Sequence, residues 1–232
     1  MIIHMDTGEN IKNKNSTQNM ITKININELS YRKDINLLRA LAVIGVLVYH
    51  FDKKLLSGGG LGVDLFFFIS GYLISNKLIL GLRSQENYFR IFFRKRFLRL
   101  TPALISTSIF SSLFAYNFLS PAELKLHFDS AFYSLIYISN FFYTNLDFYN
   151  SPNNKYLTML HTWSLGIEEQ FYILLPIILV FVYKKNKQIV STFILLIIFS
   201  LVFSFFTMSE NLFYNPLGRF WEFLAGSIFM IF

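Results

Sequence analysis

Long apolar runs alternate with short polar or basic stretches along most of the chain. Runs over 35–51, 61–82, 100–119, 161–183 and 188–207 approach the ~20 residues that a helix needs to cross ~30 Å of hydrocarbon. Each predicts a membrane-spanning helix. Another begins near Arg219 and is cut off at Phe232. An aromatic run, 128–149, holds Asp129, Asn140, Asn145 and Asp147, which weakens it as a span. Residues 1–30 are polar and rich in Asn, Lys and Ile, with no apolar segment leading to a cleavage site. They predict a flexible cytoplasmic tail, in which His4 is inert. The expected fold class is all-α, a multi-span transmembrane helical bundle truncated inside its sixth span. No internal repeat is visible.

Loop charge orients the spans. Arg83, Arg90, Arg94, Lys95, Arg96 and Arg99 make the segment between the second and third spans strongly basic, and basic loops stay on the cytoplasmic side. Lys184, Lys185 and Lys187 follow the 161–183 span and belong inside by the same rule. Both placements hold only if 128–149 does not fully cross. Residues 120–160 are therefore expected to form an external loop whose aromatic part dips into or lies on the membrane.

Composition narrows the class further. Of 232 residues, 53% are hydrophobic and only 15% charged, where globular domains carry about a quarter charged. The absence of cysteine excludes a disulfide framework, a thiolate metal site and a cysteine nucleophile. A net charge of +7 could suggest nucleic acid; in a membrane chain it follows from the basic inner loops, and no nucleic-acid partner is expected.

Ionisable residues gather at one depth. Arg39 lies near the inner end of the first span and His50 at its outer end, ~16 Å away at ~1.5 Å per residue. Asp64, His161, Trp163, Glu168, Glu169, Arg219 and Glu222 fall in the outer parts of later spans. Intramembrane ionisable groups normally face a bundle interior or a wet cavity and are functional candidates by default. They predict a polar chamber opening outward, with pairing for packing, such as Glu222 with Arg219, as the plainer reading. Glu168 and Glu169 point ~100° apart on a helix, so one is expected to face the chamber and the other to anchor structure. His127, in the polar loop, is expected at the surface. The glycines of "SGGGLG" (57–62) lack the strand–turn–helix context of a dinucleotide site and predict a tight turn. The basic stretch "YFRIFFRKRFLRL" is topogenic, and it also suits a cytoplasmic polyanion, because arginine presents a planar fork of donors to phosphate.

The ordered motifs resemble the acyltransferase-3 family, integral-membrane enzymes that O-acetylate cell-surface polysaccharides. "YRKDINLLRALAVIGVLVYHF" is similar to the family's opening helix, with Arg39 and His50 at its spacing. "GVDLFFFISGYLIS" resembles the second helix. "RKRFLRLTPAL" resembles the basic loop, with Arg96 and Arg99 in an Arg-x-x-Arg pair followed by Pro102. "HTWSLGIEEQFYILLP" and "GRFWEFLAGSIF" resemble later helices. The chain departs from the family at Asn36 and Leu37, and family members carry further spans. Residues 31–232 thus look like the N-terminal portion of the membrane domain.

The resemblance implies acyl transfer from cytoplasmic acyl-CoA, usually acetyl-CoA, to a carbohydrate hydroxyl across the cell membrane. Acyl-CoA would be a co-substrate, with no bound cofactor or metal. Arg94, Arg96 and Arg99 would meet the donor phosphates, and Arg39 would contact the donor or brace the first helix. His50 is the expected general base, since histidine's pKa suits that task. Glu168 or Glu169 would orient it. Asp64, His161, Trp163, Arg219 and Glu222 would line the chamber or support it. A transporter or flippase for an anionic solute would also need buried charge and a cavity, and an inactive truncated remnant is the remaining alternative.

Overall fold

A computed structural model describes residues 32–84, 88–146, 157–184, 189–207 and 213–231. The expected tail, Asp147, Lys185 and Lys187 lie outside them. Among the described residues the chain is built of helices and turns, with no strand. Among the described residues five helices are long and apolar enough to cross a membrane, at the five complete runs that the hydropathy pattern picks out.

The chain divides into two units, one up to Gly59 and one from Gly60 onward. In the first, α1 (Lys33–Phe51) is apolar on nearly every side. Leu37, Leu41, Ile44 and Leu47 are all exposed, as suits a helix whose solvent is lipid. The glycine run that follows forms a short tight helical turn, Ser57–Leu61. Gly59 lies so close to α1 that a Cβ there would stand 2.3 Å from Gly45 O.

In the second unit, α2 (Gly62–Ser84), α6 (Thr162–Lys184) and α8 (Pro216–Ile231) run parallel. Phe67 stacks on Phe223, Phe171 stacks on the other side of the same region, and Phe67 meets Trp163 edge-on. α2 and α8 touch backbone to backbone. A Cβ on Gly71 would stand 1.9 Å from Phe223 O, and one on Gly226 would stand 1.9 Å from Phe68 O. In lipid, where burying apolar surface drives little, such close approach between small residues supplies the packing. α7 (Ile189–Phe206) runs back beside α8, and Ser204 donates to Gly218 O at 3.0 Å.

Two expectations need correction here. The basic stretch is not a loop. It is the first third of α3 (Tyr88–Phe118), because "RIFFRKRFLRL" contains no helix breaker before Pro102. The second concerns His127. It lies in α4 (Pro121–Leu135), which opens with Pro121 behind a Ser120–Glu123 capping box, and it is 1% exposed rather than at the surface. Its ring nitrogens lie 3.0 Å from Ser112 Oγ and 2.7 Å from Thr158 Oγ1, so neutral hydroxyls take its polar atoms out of contact with the apolar surroundings.

α4 descends antiparallel to α3, with Ser112 beside His127 and Thr101 hydroxyl-bonded to Tyr137 at 2.9 Å. It then stops. Tyr137 takes a left-handed φ of 59°, with Tyr137 N bonding to Ser134 O and Ile138 N to Tyr133 O. This is a Schellman ending with tyrosine where glycine is usual. The short α5 (Ser139–Thr144) follows, and by Thr158 the chain is level with His127 again. Among the described residues, α4 and α5 therefore enter and Thr158 returns on one side, in keeping with α2 and α6 running parallel. Backbone that leaves the helix at membrane depth must be satisfied by protein. Gln170 does this, donating to Tyr137 O at 3.3 Å and Asn140 Oδ1 at 2.8 Å. Gly166 gives the hairpin tip room, since a Cβ there would meet Asn140 Oδ1 at 2.9 Å.

Candidate functional site

Two ionic centres lie inside the second unit. The first is built on Arg96. Arg94, Lys95 and Arg96 are successive on α3, so they point in three directions ~100° apart. Arg94, Lys95 and Arg99 are exposed, and Arg96 faces the bundle. It lies eight residues into α3, ~12 Å along the axis, level with Glu168 and Glu169 of α6. Its Nη2 donates to Glu168 Oε2 at 3.1 Å and its Nε donates to Glu169. Its guanidinium lies over the Tyr172 ring, 3.7 Å from the centre. The three charged side chains are between 11% and 17% exposed.

Although Glu168 and Glu169 point ~100° apart on α6, both carboxylates reach one cation. The reason is the arginine fork. Its five donors spread across a plane wide enough to span two side chains ~100° apart on one helix turn. The two acids still differ. Glu168 also accepts from Ser70 Oγ at 3.0 Å and from the Tyr172 hydroxyl at 3.4 Å, whereas Glu169 accepts from Arg96 Nε. With one arginine and two carboxylates, the centre carries a net formal charge of −1.

The second centre is built on Arg219, near the start of α8. Its Nη2 donates to Asp64 Oδ1 at 2.6 Å, and its Nη1 lies 3.2 Å from Glu222 Oε1. Phe67, Trp163 and Phe213 surround the guanidinium, with ring centres 5.5, 5.8 and 5.1 Å away. The Arg219–Glu222 pairing suggested by sequence is present, and Asp64 joins it from α2. His161, just before α6, is exposed.

α1 places Arg39 and His50 on a separate element. His50 is exposed, and its Nδ1 lies 2.9 Å from Val46 O. A carbonyl only accepts, so Nδ1 carries the proton of this bond and Nε2 is the ring nitrogen left to act on another group. Sequence reasoning did not find Ser70, Tyr172, Gln170 or Asn140. Tyr172 had a signal, since it lies four residues after Glu168 on the same helix face. Among the described residues no group of three His, Asp or Glu side chains could hold a metal ion.

Parallel spans that enclose arginine–carboxylate centres at membrane depth define a polytopic helical membrane protein with a charged interior. The profile of the acyltransferase domain family matches residues 32–232, and the chain belongs to that acyltransferase-3 family. OatA, an O-acetyltransferase of Staphylococcus aureus strain NCTC 8325, is 38% identical over 176 residues, 74% of this chain and 29% of OatA. The OatA protein of strain COL aligns identically. A protein of strain MSSA476, whose name assigns it O-acetyltransferase activity provisionally, is 35% identical over 189 residues, 79% of this chain and 31% of its own length. The matched region thus spans less than a third of these curated relatives. No solved structure matches the chain.

Proposed function

We propose that this chain is the N-terminal, membrane-embedded part of an O-acyltransferase of the cytoplasmic membrane. It moves an acyl group, in the first instance acetyl, from acyl-CoA on the inner side to a sugar hydroxyl on the outer side. The observation that carries the reading is the Arg96–Glu168–Glu169 centre, a half-buried charged triad inside spans of an acyltransferase family member.

The chemistry is a transfer between oxygen and sulfur. His50 Nε2 takes the proton of the acceptor hydroxyl as its oxygen attacks the thioester carbonyl carbon. The carbon–oxygen bond forms, the carbon–sulfur bond breaks, and the CoA thiolate leaves to be protonated. Arg94 and Arg99, exposed on the basic end of α3, bind the donor phosphates. Arg96 is held by carboxylates, so its part is to fix Glu169 in place. Arg39 braces α1 or touches the donor.

Acyl transfer in proteoliposomes tests this, with acetyl-CoA and a soluble glycan on opposite sides. His50→Ala should keep membrane insertion and donor binding but lower transfer by ~10²–10⁴-fold, the usual contribution of a positioned acid–base group. Near-wild-type turnover in a correctly inserted His50→Ala protein would remove His50 from the mechanism.

A further inference from the structure

The re-entrant segment α4–α5 is fastened to the spans by polar joints. Ser134 Oγ lies 2.6 Å from Thr162 Oγ1, Thr101 meets Tyr137, and Gln170 donates to Tyr137 O and Asn140 Oδ1. The joint nearest the open end is His127. Its ring ties α4 at once to Ser112 of α3, at 3.0 Å, and to Thr158 of the turn before α6, at 2.7 Å. His127 is buried and Thr158 is exposed, so one side of the joint borders the surroundings. Histidine is the side chain whose ordinary titration falls between pH 5 and 8, which makes this joint chargeable where hydroxyl and amide joints are not.

The neutral ring suits its place. One nitrogen donates, the other accepts, and the two hydroxyls turn to match. An imidazolium there finds no carboxylate. α3 has no charged residue from 100 to 118, and its Tyr116 is exposed. On α4, Glu123 caps its own helix by accepting from Ser120 N at 2.8 Å, while Lys125 and Asp129 are exposed and point to the far face. The turn at 157–161 carries His161, and α5 carries Tyr143; neither is an anion that would pair with the ring. Burial therefore holds His127 below the ordinary histidine value near 6.5. Once the hairpin lets go and the ring meets water, it takes its proton near that ordinary value. Docking is at full strength above it and weakens as pH falls below it, with an opening constant that grows by up to about tenfold per pH unit.

We propose that His127 is an acid-sensitive catch, and that its protonation from the side on which α4 enters releases the α4–α5 hairpin from α3 and α6. Release would be felt at the Arg96 centre, because Gln170, which holds the hairpin tip, is the neighbour of Glu169 on α6. The catch rests on the geometry of the hairpin and not on the acyltransferase reading.

The chain has no cysteine. Ala131→Cys therefore puts a single thiol on the buried face of α4, where Ala131 is 6% exposed, and Lys125→Cys puts one on its exposed face. In lipid nanodiscs both are labelled with 4,4′-dithiodipyridine, and the ratio of the two rates cancels the pH dependence of the reagent. Between pH 7.5 and 5.0 the buried thiol should gain about tenfold on the exposed one. His127→Gln, made in both cysteine chains, should flatten that rise. Ser112→Asp sets a carboxylate against Nε2 and stabilises the charged ring, so it should flatten or reverse the rise; it decides the matter if His127→Gln does not fold. His161→Gln should keep the full rise. A flat ratio with His127 and Ser112 in place, an undiminished rise in His127→Gln or Ser112→Asp, or loss of the rise in His161→Gln would overturn the proposal.

Discussion

Replacing Arg96 by methionine, which fills a similar volume without charge, isolates the energetics of the first centre. Arg96 is 3.1 Å from Glu168 and closer still to Glu169. At an effective dielectric near 20, a unit pair at that distance is worth about 5 kcal/mol before desolvation is counted. Burial offsets much of this, because the three side chains retain little contact with solvent. The measurable effect is the orphaning of two neighbouring carboxylates, about 3–5 kcal/mol when one partner of a buried pair is removed. The lost contact with the Tyr172 face adds up to ~2 kcal/mol. Arg96→Met should therefore destabilise by at least ~3 kcal/mol. The triple variant Arg96→Met/Glu168→Gln/Glu169→Gln should recover about 2 kcal/mol or more of that, since a neutral site has no charge left to orphan. Reversible unfolding by SDS in mixed micelles, followed by tryptophan emission, measures both. A single variant within about 0.5 kcal/mol of wild type, the range of ordinary surface changes, would refute the reasoning; so would a triple variant no more stable than the single one.

Gly71→Ala should cost about 1–3 kcal/mol in the same unfolding assay, because its Cβ would overlap Phe223 O and force α2 and α8 apart. Tyr137→Gly should be more stable than Tyr137→Ala by about 1 kcal/mol, the reverse of the helical order, because both lose the Thr101 hydroxyl bond but only alanine keeps the left-handed penalty. Neutralising Arg94 and Arg99 together should raise the apparent donor KM about tenfold or more and leave the acceptor KM unchanged, as steady-state kinetics would show. Since the chain has no native cysteine, single cysteines at Tyr116 and Thr158, both exposed, should be labelled by an impermeant thiol reagent from the same side of the membrane. Labelling from opposite sides would mean that 119–161 crosses.

Hydropathy made the spans legible because lipid demands long apolar helices with few alternatives. It also showed that 128–149 was doubtful, since Asn140 and Asp129 are poor residues for a span. It could not show why the helix breaks at Ile136. That ending depends on Gln170 and Thr101, which are distant in sequence and meet it only after folding. The charged residues of the site were legible individually because charge is rare in such a chain. Their partners were not. Treating α3's basic start as a loop placed Arg96 at the surface. The helical phase that turns Arg96 inward, and Arg94 and Lys95 outward, is what joins it to Glu168 and Glu169. His127 was misjudged for a related reason: a histidine in a polar stretch reads as solvated until the hydroxyls of Ser112 and Thr158 are seen to replace water.

The parallel run of α2, α6 and α8 has an electrostatic consequence. Each helix carries about half a positive charge at its N-terminus from its aligned peptide dipoles. Gly62, Thr162 and Pro216 begin these helices, and Asp64, Trp163 and Arg219 come within the first turn of each. Three such ends are therefore collected around the Arg219 centre, whose side chains sum to a formal −1. The backbone supplies the positive potential that the side chains lack. Asp64 and Glu222 sit beside a single arginine there, at the end where all three helices begin.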